Sequence, residues 1–573
     1  MTTRIEILRR SSQATPQFEN PLHPVLKRVY AARGLTIDEE LVLSLDRLLA
    51  VSSLEGVQPA AELLMAHRDQ GRVLIVGDFD ADGATSSALM VRALRSMQFA
   101  HVDFMVPDRF RFGYGLTPGI VAAAAERRPT LIVTVDNGIA SLAGTAAARA
   151  AGVDVLVTDH HLPGRELPDA NAIVNPNLPD STFGSRNLAG VGVAFYVVAA
   201  LARLLGGRFN PAELLDLVAL GTVADVVPLD RNNRILVHQG LARIRAGRCV
   251  PGIRALLEIA GRRAQNAAPS DLGFAVAPRL NAAGRLTDMG LGIECLLATD
   301  MPRAATLAQQ LSQLNTQRRD IELRMQGEAI DIANRHLQTQ NEGAVARPPL
   351  GLCLFDPTWH QGVVGLVAGR IKDRLHCPVI AFAPAPDGSL RGSARSVEGV
   401  HIRDVLDSMA TQNPGLIDKF GGHAMAAGLS LDAARLPEFR AAFDALMTAQ
   451  RSGQDFFGQL HSDGELGAAD FCLETARMLR SAGPWGQGFP EPAFDGEFGI
   501  VETRLVGERH LKLKVNGGAD SPLECISFGY VGSEFETARL RPGARVRLLY
   551  RLEVNEYNGT ERVQLNASYL KPS

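Results

Sequence analysis

Three apolar runs in the first third of the chain each end in acidic residues. VLIV at 73–76 leads into Gly77, Asp78, Phe79, Asp80, Ala81, Asp82 and Gly83. LIVTV at 131–135 leads into Asp136, Asn137 and Gly138, and VDVLVT at 153–158 leads into Asp159, His160 and His161. Runs this short and this nearly continuous in apolar residues predict strands buried on both faces, as in a parallel sheet. Strands are expected at 72–76, 101–106, 130–135, 153–158 and 172–175, with Ala-rich helices at 84–97, 118–127 and 140–151. The alternation implies βαβ units. Open parallel sheets bind ligands beyond the carboxyl ends of their strands, so all three acidic clusters are expected at one sheet edge.

The pattern changes downstream. Helical runs at 191–205 and 211–220 precede a long amphipathic stretch at 302–339, where Leu307, Leu311, Leu314, Ile321, Met325 and Ile332 follow helical spacing. Arg318 and Glu328 interrupt that stripe, which argues for a connector rather than a coiled-coil dimer. A second, smaller α/β unit opens with the strand at 352–355 and continues through a helix at 363–375, a strand at 378–383 and a Gly-rich segment at 421–428. Alternating runs at 511–515 and 545–554, with Asn558-Gly559 where a hairpin turn fits, predict an all-β tail resembling an OB barrel. The expected organisation is α/β overall. It has an N-terminal extension at 1–70 with helical patches such as 39–49, a mostly parallel-sheet domain at 71–301 and a helical connector at 302–342. The smaller α/β domain follows at 343–450 and the barrel at 451–573.

Composition narrows the function classes. A chain of 573 residues with 46% hydrophobic content can bury several cores. Its net charge of −3 provides no global basic field, so a polyanion would need local Arg or Lys groups, or metals. Cysteines at 249, 295, 353, 377, 472 and 525 form no CxxC pair, which disfavours a zinc ribbon and suits reduced thiols. The N-terminus has no apolar signal core, and the longest apolar run, 191–202, is too short to span a bilayer. A soluble cytoplasmic protein without membrane contact is expected.

The acidic clusters carry the chemistry. Two carboxylates about 4 Å apart repel by about 1 kcal/mol in water and about 4 kcal/mol at an effective dielectric of 20. Gathering Asp78, Asp80, Asp82, Asp136 and Asp225 in one place therefore calls for divalent cations. Asp225 lies in GTVADVVPL at 221–229, after a helical run. Oxygen donors with an imidazole and no thiolate favour Mn²⁺ or Mg²⁺. Two such ions can activate water and stabilise the leaving oxygen of a phosphodiester.

Taken in order, GDFDADG, VDNG, TDHH and GTVADVVPL resemble the four motifs of the DHH phosphoesterase superfamily. RGSARS at 391–396 and FGGHAMAAG at 420–428 are similar to its DHH-associated domain. PRLNAAGR at 278–285, the chain length and the β-rich tail place the resemblance nearest the bacterial single-strand-specific 5′→3′ DNA exonucleases. The resemblance implies that Asp80, Asp82, Asp136, His160 and Asp225 are catalytic metal ligands, with Asp136 bridging two ions and Asp78 a further ligand. It implies that His161 contacts the scissile phosphate and that Asp159 orients the neighbouring imidazole.

Five carboxylates and two divalent ions leave no net positive charge for an incoming phosphodiester, so Arg370, Arg391, Ser393, Arg395, His423 and the N–H groups of Gly421 and Gly422 are candidates for phosphate binding. Arg109 follows the second strand, in reach of a terminal 5′-phosphate, and the resemblance makes Arg279, Asn281 and Arg285 candidates for DNA contact. Lys512 and Lys514 share one face of a tail strand that would suit single-stranded nucleic acid, and Trp485 and Phe489 could stack on bases or pack internally. Single-stranded DNA, single-stranded-DNA-binding protein, a monomeric state and roles in repair, recombination and mismatch correction are implied in the same way. The competing readings are another DHH phosphoesterase (an oligoribonuclease, a cyclic-dinucleotide phosphodiesterase or a pyrophosphatase) and a non-catalytic replication-fork scaffold. The latter would be expected to lose metal ligands, and none is lost here.

Overall fold

Five parallel strands, Arg72–Gly77 (β1), His101–Met105 (β2), Leu131–Val135 (β3), Asp154–Thr158 (β4) and Ala172–Val174 (β5), form a sheet in the order β2-β1-β3-β4-β5. Residues 73–77 and 131–135 are all buried, which is why these strands read as continuous apolar runs. The strand order reverses between β1 and β3, the switch point at which such sheets bind ligands. Helices Ala81–Ser96 (α1), Gly190–Leu204 (α2) and Leu215–Ala224 (α3) pack together beside the sheet. In α2, residues 190–202 are all buried, so its apolar run is a core helix.

The computed structural model describes residues 5–12, 15–108, 112–340, 350–449, 458–507, 510–517, 521–530, 538–557 and 560–573. It divides into two compact units, Ile7–Ser312 with His461–Ser573, and Gln313–Leu460 with Met1–Glu6. The first unit thus holds the parallel sheet, most of the N-terminal segment and the tail. The expected helix at 39–49 is absent: Asp38–Leu41 and Leu45–Arg47 are separate 3-10 turns, because the leucines there give no sustained one-sided apolar stripe. The regular helices of this segment are Pro24–Ala31 and Val57–Ala66.

Farther along the first unit, Ala277–Leu286 (α4) follows directly on a π-helical turn at Leu272–Val276. The connector is one helix, Met301–Gln340 (α5). Its residues up to Ser312 group with the first unit and those from Gln313 with the second, so it is no separate body.

In the second unit, Val364–Leu375 (α6) packs on a mixed sheet of Leu352–Phe355 (β6), Val379–Pro384 (β7), Ser389–Arg395 (β8), Lys419–Gly422 (β9) and Ala426–Asp432 (β10). The order is β9-β10-β8-β7-β6, with only β6 and β7 parallel. Phe382, Leu390, Ala394, Leu431, Phe439 and Phe443 are central to its core.

The tail forms a closed five-stranded barrel of Phe494–Val506 (β11), His510–Asn516 (β12), Leu523–Ser527 (β13), Arg545–Tyr557 (β14) and Thr560–Pro572 (β15). Tyr557 pairs with Thr560, and the expected turn residues Asn558 and Gly559 lie outside the described residues. Trp485 and Phe489 are internal rather than base-stacking platforms. They are 7% and 4% exposed, their rings stack at 5.1 Å, and Arg33 and Arg234 lie over them.

Candidate metal centre and strand-binding residues

The strand ends and helix starts build the acidic site. Asp80 caps α1, its Oδ1 accepting the Asp82 and Gly83 N–H groups at 3.0 Å each. Asp82 is turned toward the start of α2, where its carboxylate accepts the N–H groups of Gly190 at 2.6 Å and Val191 at 3.0 Å. Only glycine fits at 190, since a Cβ there would stand 2.7 Å from Asp136 Oδ1. Asp136 leaves β3 with φ of 61°, a left-handed conformation that Asp and Asn tolerate better than other side chains. His160 Nε2 lies 3.2 Å from Asp136 Oδ1 and 3.5 Å from Asp225 Oδ2.

Three sets of donor atoms each fall within 4.8 Å of one another: Asp78, Asp80 and Asp136; Asp82, His160 and Asp225; and Asp136, His160 and His161. Asp136 belongs to two sets, as a bridging ligand would. Its buried Oδ1 receives no conventional hydrogen bond among the described residues. An all-oxygen set with imidazole and an orphaned buried carboxylate oxygen fits a Mn²⁺ or Mg²⁺ site.

Electrostatics point the same way. Burial, then the charge of Asp80, pushes the Asp82 carboxyl up to about 7 against the pull of the Val191 and Gly190 N–H groups. Burial, followed by the neighbouring carboxylates, raises Asp136 and Asp225 well above the usual range. Without cations, burial and mutual repulsion bias Asp82, Asp136 and Asp225 toward their protonated forms.

Asp159 behaves differently although it is only 1% exposed. Burial opposes its ionisation. The His161 ring, reinforced by the N–H groups of Ile139 and His161, outweighs that and holds its pKa low. Its Oδ1 accepts the His160 and His161 N–H groups at 2.7 and 3.1 Å and lies 2.8 Å from His161 Nδ1. An ionised Asp159 requires the ring proton on Nδ1, which fixes the tautomer and leaves Nε2 as the second functional atom. Sequence reading missed Tyr114, whose hydroxyl donates to the Asp136 carbonyl at 3.3 Å and lies 3.3 Å from His161 Nδ1. The Gly113-Tyr114-Gly115 setting was its only signal.

Models of three protein families match the chain: the DHH family N-terminal domain over 72–222, the DHHA1 domain over 349–449 and the RecJ OB domain over 462–569. The single-stranded-DNA-specific exonuclease RecJ of Dickeya dadantii is 53% identical over 99% of each chain, and that of Escherichia coli 50% identical over 99% of each. The chain belongs to the RecJ family. The crystal structure of RecJ in complex with Mn²⁺ from Thermus thermophilus superposes with a TM-score of 0.78 at 32% identity, covering 96% of this chain and 76% of that one. A structure of exonuclease RecJ bound to manganese matches 70% of this chain and 96% of its own at 36% identity, with a TM-score of 0.58. No helix among the described residues is long and apolar enough to cross a membrane.

The RecJ motifs outside the metal cluster are arranged less uniformly. Arg391, Ser393 and Arg395 alternate along β8 and so share one face. Arg391 pairs with Asp387 at 3.2 Å, whereas Arg395 donates to Ser393 Oγ at 2.9 Å and the Ala394 carbonyl at 2.8 Å. No carboxylate pairs with Arg395 among the described residues, and burial lowers its pKa. Arg370 in α6 pairs with Glu322 at 3.2 Å. Gly421 and Gly422 close the edge strand β9 opposite Gly428 and Ala427, with His423 just beyond. The Gly-rich segment therefore contributes a strand end.

In the first unit, Arg279 donates to the Ala275 carbonyl at 2.6 Å and to Ser312 Oγ at 3.4 Å, and Arg285 is half-buried near the end of α4. Asn281 Oδ1, in the same helix, accepts the Ala81 N–H at 2.8 Å. Arg109 lies outside the described residues. Lys512 and Lys514 pair with Glu524 and Glu502 at 2.7 Å each, so their strand face is largely neutralised. A groove of about 1170 Å³ runs between the α3 end and the barrel, lined by Arg262, Arg263, Arg480 and Arg551 and by exposed Val226, Phe274 and Phe528. Ala224 and Val226, on either side of Asp225 in sequence, are among its lining residues.

Proposed function

We propose that this chain is a metal-dependent exonuclease specific for single-stranded DNA. The observation that carries the reading is the gathering of five carboxylates and His160 at the sheet's switch point. It occurs in a chain about half identical, end to end, to single-stranded-DNA-specific exonucleases. Asp78, Asp80, Asp82, Asp136, His160 and Asp225 would hold two Mn²⁺ or Mg²⁺ ions. When bound, the ions supply a water nucleophile at neutral pH and Lewis-acid stabilisation of the phosphoryl oxygens.

The chain's own residues supply positioning and proton donors. Burial disfavours a charged His161 ring, but Asp159 on Nδ1 outweighs that and raises its pKa, so the protonated ring donates from Nε2 to a phosphate oxygen at the scissile bond. Tyr114, touching both the His161 ring and the Asp136 backbone, limits the swing of that imidazole.

Strand binding falls to several surfaces. Ser393, Arg395, Gly421, Gly422 and His423 form a phosphate-binding face, with Arg391 and Arg370 at its margin. Arg279 and Arg285 contribute from α4, and Arg109 receives the 5′-phosphate. The groove between the α3 end and the barrel offers arginines and two exposed rings, a combination that suits a single strand regardless of sequence. Cleavage runs 5′→3′. The enzyme acts as a cytoplasmic monomer in repair and recombination, with single-stranded-DNA-binding protein as a partner.

The test is digestion of single strands labelled at either end, with Mn²⁺, beside Asp136→Asn. Loss of the 5′ label first, abolished in the variant, is expected. Equal digestion by the variant would remove the metal mechanism, and 3′-first loss would remove the polarity.

A further inference from the structure

We infer that Asn281 is a positioning residue that locks the metal-binding loop through its side-chain oxygen, rather than a ligand for DNA phosphate. The inference rests on the metal reading of Asp78, Asp80 and Asp82 given above. Its basis is the unusual hydrogen bonding at the start of α1. Asp80 Oδ1 serves the N–H groups of Asp82 and Gly83, and the Ala84 N–H reaches the Asp80 backbone oxygen at 2.9 Å. The Ala81 N–H is the one left over, and Asn281 Oδ1 takes it from two hundred positions away in sequence, at 2.8 Å.

The contact has a second anchor one helical turn along α4. Residues 281 and 284 lie on the same helix face. A Cβ at Gly284 would collide with the Phe79 carbonyl oxygen. Helix α4 therefore lies directly on the backbone of 79–81, the segment between the carboxylates of Asp78, Asp80 and Asp82. Leu280, Ala282 and Ala283 are fully buried, so the helix itself is fixed.

The consequence is specific. An Ala81 N–H released by loss of Asn281 competes for the Asp80 carboxylate, which already accepts two N–H groups, and draws oxygen density away from the cation. A phosphate ligand would instead use Asn281 Nδ2 as a donor. Aspartate at 281 separates the two roles: it keeps the acceptor, loses the donor and adds negative charge.

The experiment measures Mn²⁺ dissociation constants on the full chain from the electron paramagnetic resonance of free Mn²⁺, and binding of a labelled oligo(dT) to the same proteins in EDTA. Asn281→Ala should weaken Mn²⁺ binding by about tenfold, the usual effect of removing a partner behind a metal ligand. Its metal-free oligo(dT) binding should be unchanged, and Asn281→Asp should restore Mn²⁺ affinity. Gly284→Ala, which removes no polar group, should weaken Mn²⁺ binding in the same direction and serves if Asn281→Ala does not fold. Wild-type Mn²⁺ affinity in both Asn281→Ala and Gly284→Ala overturns the assignment. So does a loss of metal-free oligo(dT) binding that is deeper in Asn281→Asp than in Asn281→Ala. A wild-type chain that binds no Mn²⁺ would remove the metal reading itself, and this role with it.

Discussion

Asp82, Asp136 and Asp159 at the edge of the first sheet are 1%, 2% and 1% exposed, whereas the Arg391 and Arg370 side chains of the second unit are 45% and 62% exposed. The buried acids are aimed by backbone: strand ends, the start of α2 and the left-handed turn at Asp136. The arginines are aimed by other side chains, and each already faces a carboxylate, Asp387 or Glu322. Charge that must be desolvated needs a rigid framework, because misplacing it costs several kcal/mol. Charge that meets a polyanion at the surface can exchange one partner for another at little cost. The acidic cluster is therefore preorganised by the fold, while the exposed arginines are held by carboxylate partners that they can exchange.

Asp136 is the most sensitive position of the buried cluster. Asparagine is the informative substitution, because the position needs a left-handed backbone that alanine tolerates poorly. Asp136→Asn should lower kcat by more than about 100-fold, beyond the range typical of a partner behind the ligand. The same variant should melt higher than wild type in EDTA, since one of the mutually repelling carboxylates is gone. A lower melting temperature would mean that Asp136 is held by something other than cations. Asp159→Asn comes next. It frees the His161 ring and weakens the acceptor for two N–H groups, and should cost about 10- to 100-fold in kcat with KM little changed. A change confined to KM would argue against the orienting role.

Proton linkage sharpens the contrast. The folded-state pKa of Asp82 lies near 7, above its ordinary 3.8, so its contribution to metal-free stability is full below about pH 4 and is lost as pH rises through 7. Asp136 and Asp225 carry the same sign. Asp159, with a depressed pKa, works oppositely and keeps its contribution above the ordinary carboxylate range. Between pH 5.5 and 8 Asp159 is ionised in both states and adds no pH dependence, so the three raised carboxyls predict a lower melting temperature in EDTA at pH 8 than at pH 5.5. Cations displace the retained protons, so Mn²⁺ should raise the melting temperature by several degrees more at pH 8 than at pH 5.5. Equal Mn²⁺ shifts at the two pH values would contradict a proton-holding cluster.

What could be read from the sequence follows the same division. The parallel sheet was legible because strands buried on both faces must be continuously apolar, and the acids were legible because they interrupt those runs at equivalent ends. The approximate extent of α5 followed from apolar residues at helical spacing, and that of α2 from its apolar run. The partner of Asp82 was not legible: the N–H groups of Gly190 and Val191 carry no side-chain signature. Nor was the grip of Asn281 on Ala81, because a contact between distant segments depends on which surfaces meet, and periodicity does not encode that. The glycines at 421–422 carried no strand signal in composition, yet they pair with Gly428 and Ala427. The same limit applies to lysines on a strand face, whose ion pairs depend on sheet register.

The smallest effects separate surface charges from one another. Arg395 has no carboxylate partner to leave among the described residues, so a phosphate there gains a charge-assisted hydrogen bond of about 1.5–3 kcal/mol. Arg395→Ala should therefore raise KM for single strands about tenfold, since 1.4 kcal/mol corresponds to a factor of ten. Arg391→Ala should do much less, because Asp387 competes for the same guanidinium. Lys512 lies at the bottom of the scale. Its Nζ is paired with Glu524 at 2.7 Å on the barrel face, and exposed pairs are worth about 0–1 kcal/mol. Lys512→Ala should leave both affinity and its salt dependence essentially unchanged. A lysine that neutralises a strand phosphate would instead lower the slope of log affinity against log salt by about 0.7 when removed. A slope change of that size in Lys512→Ala would move this barrel face from the paired surface to the DNA-binding one.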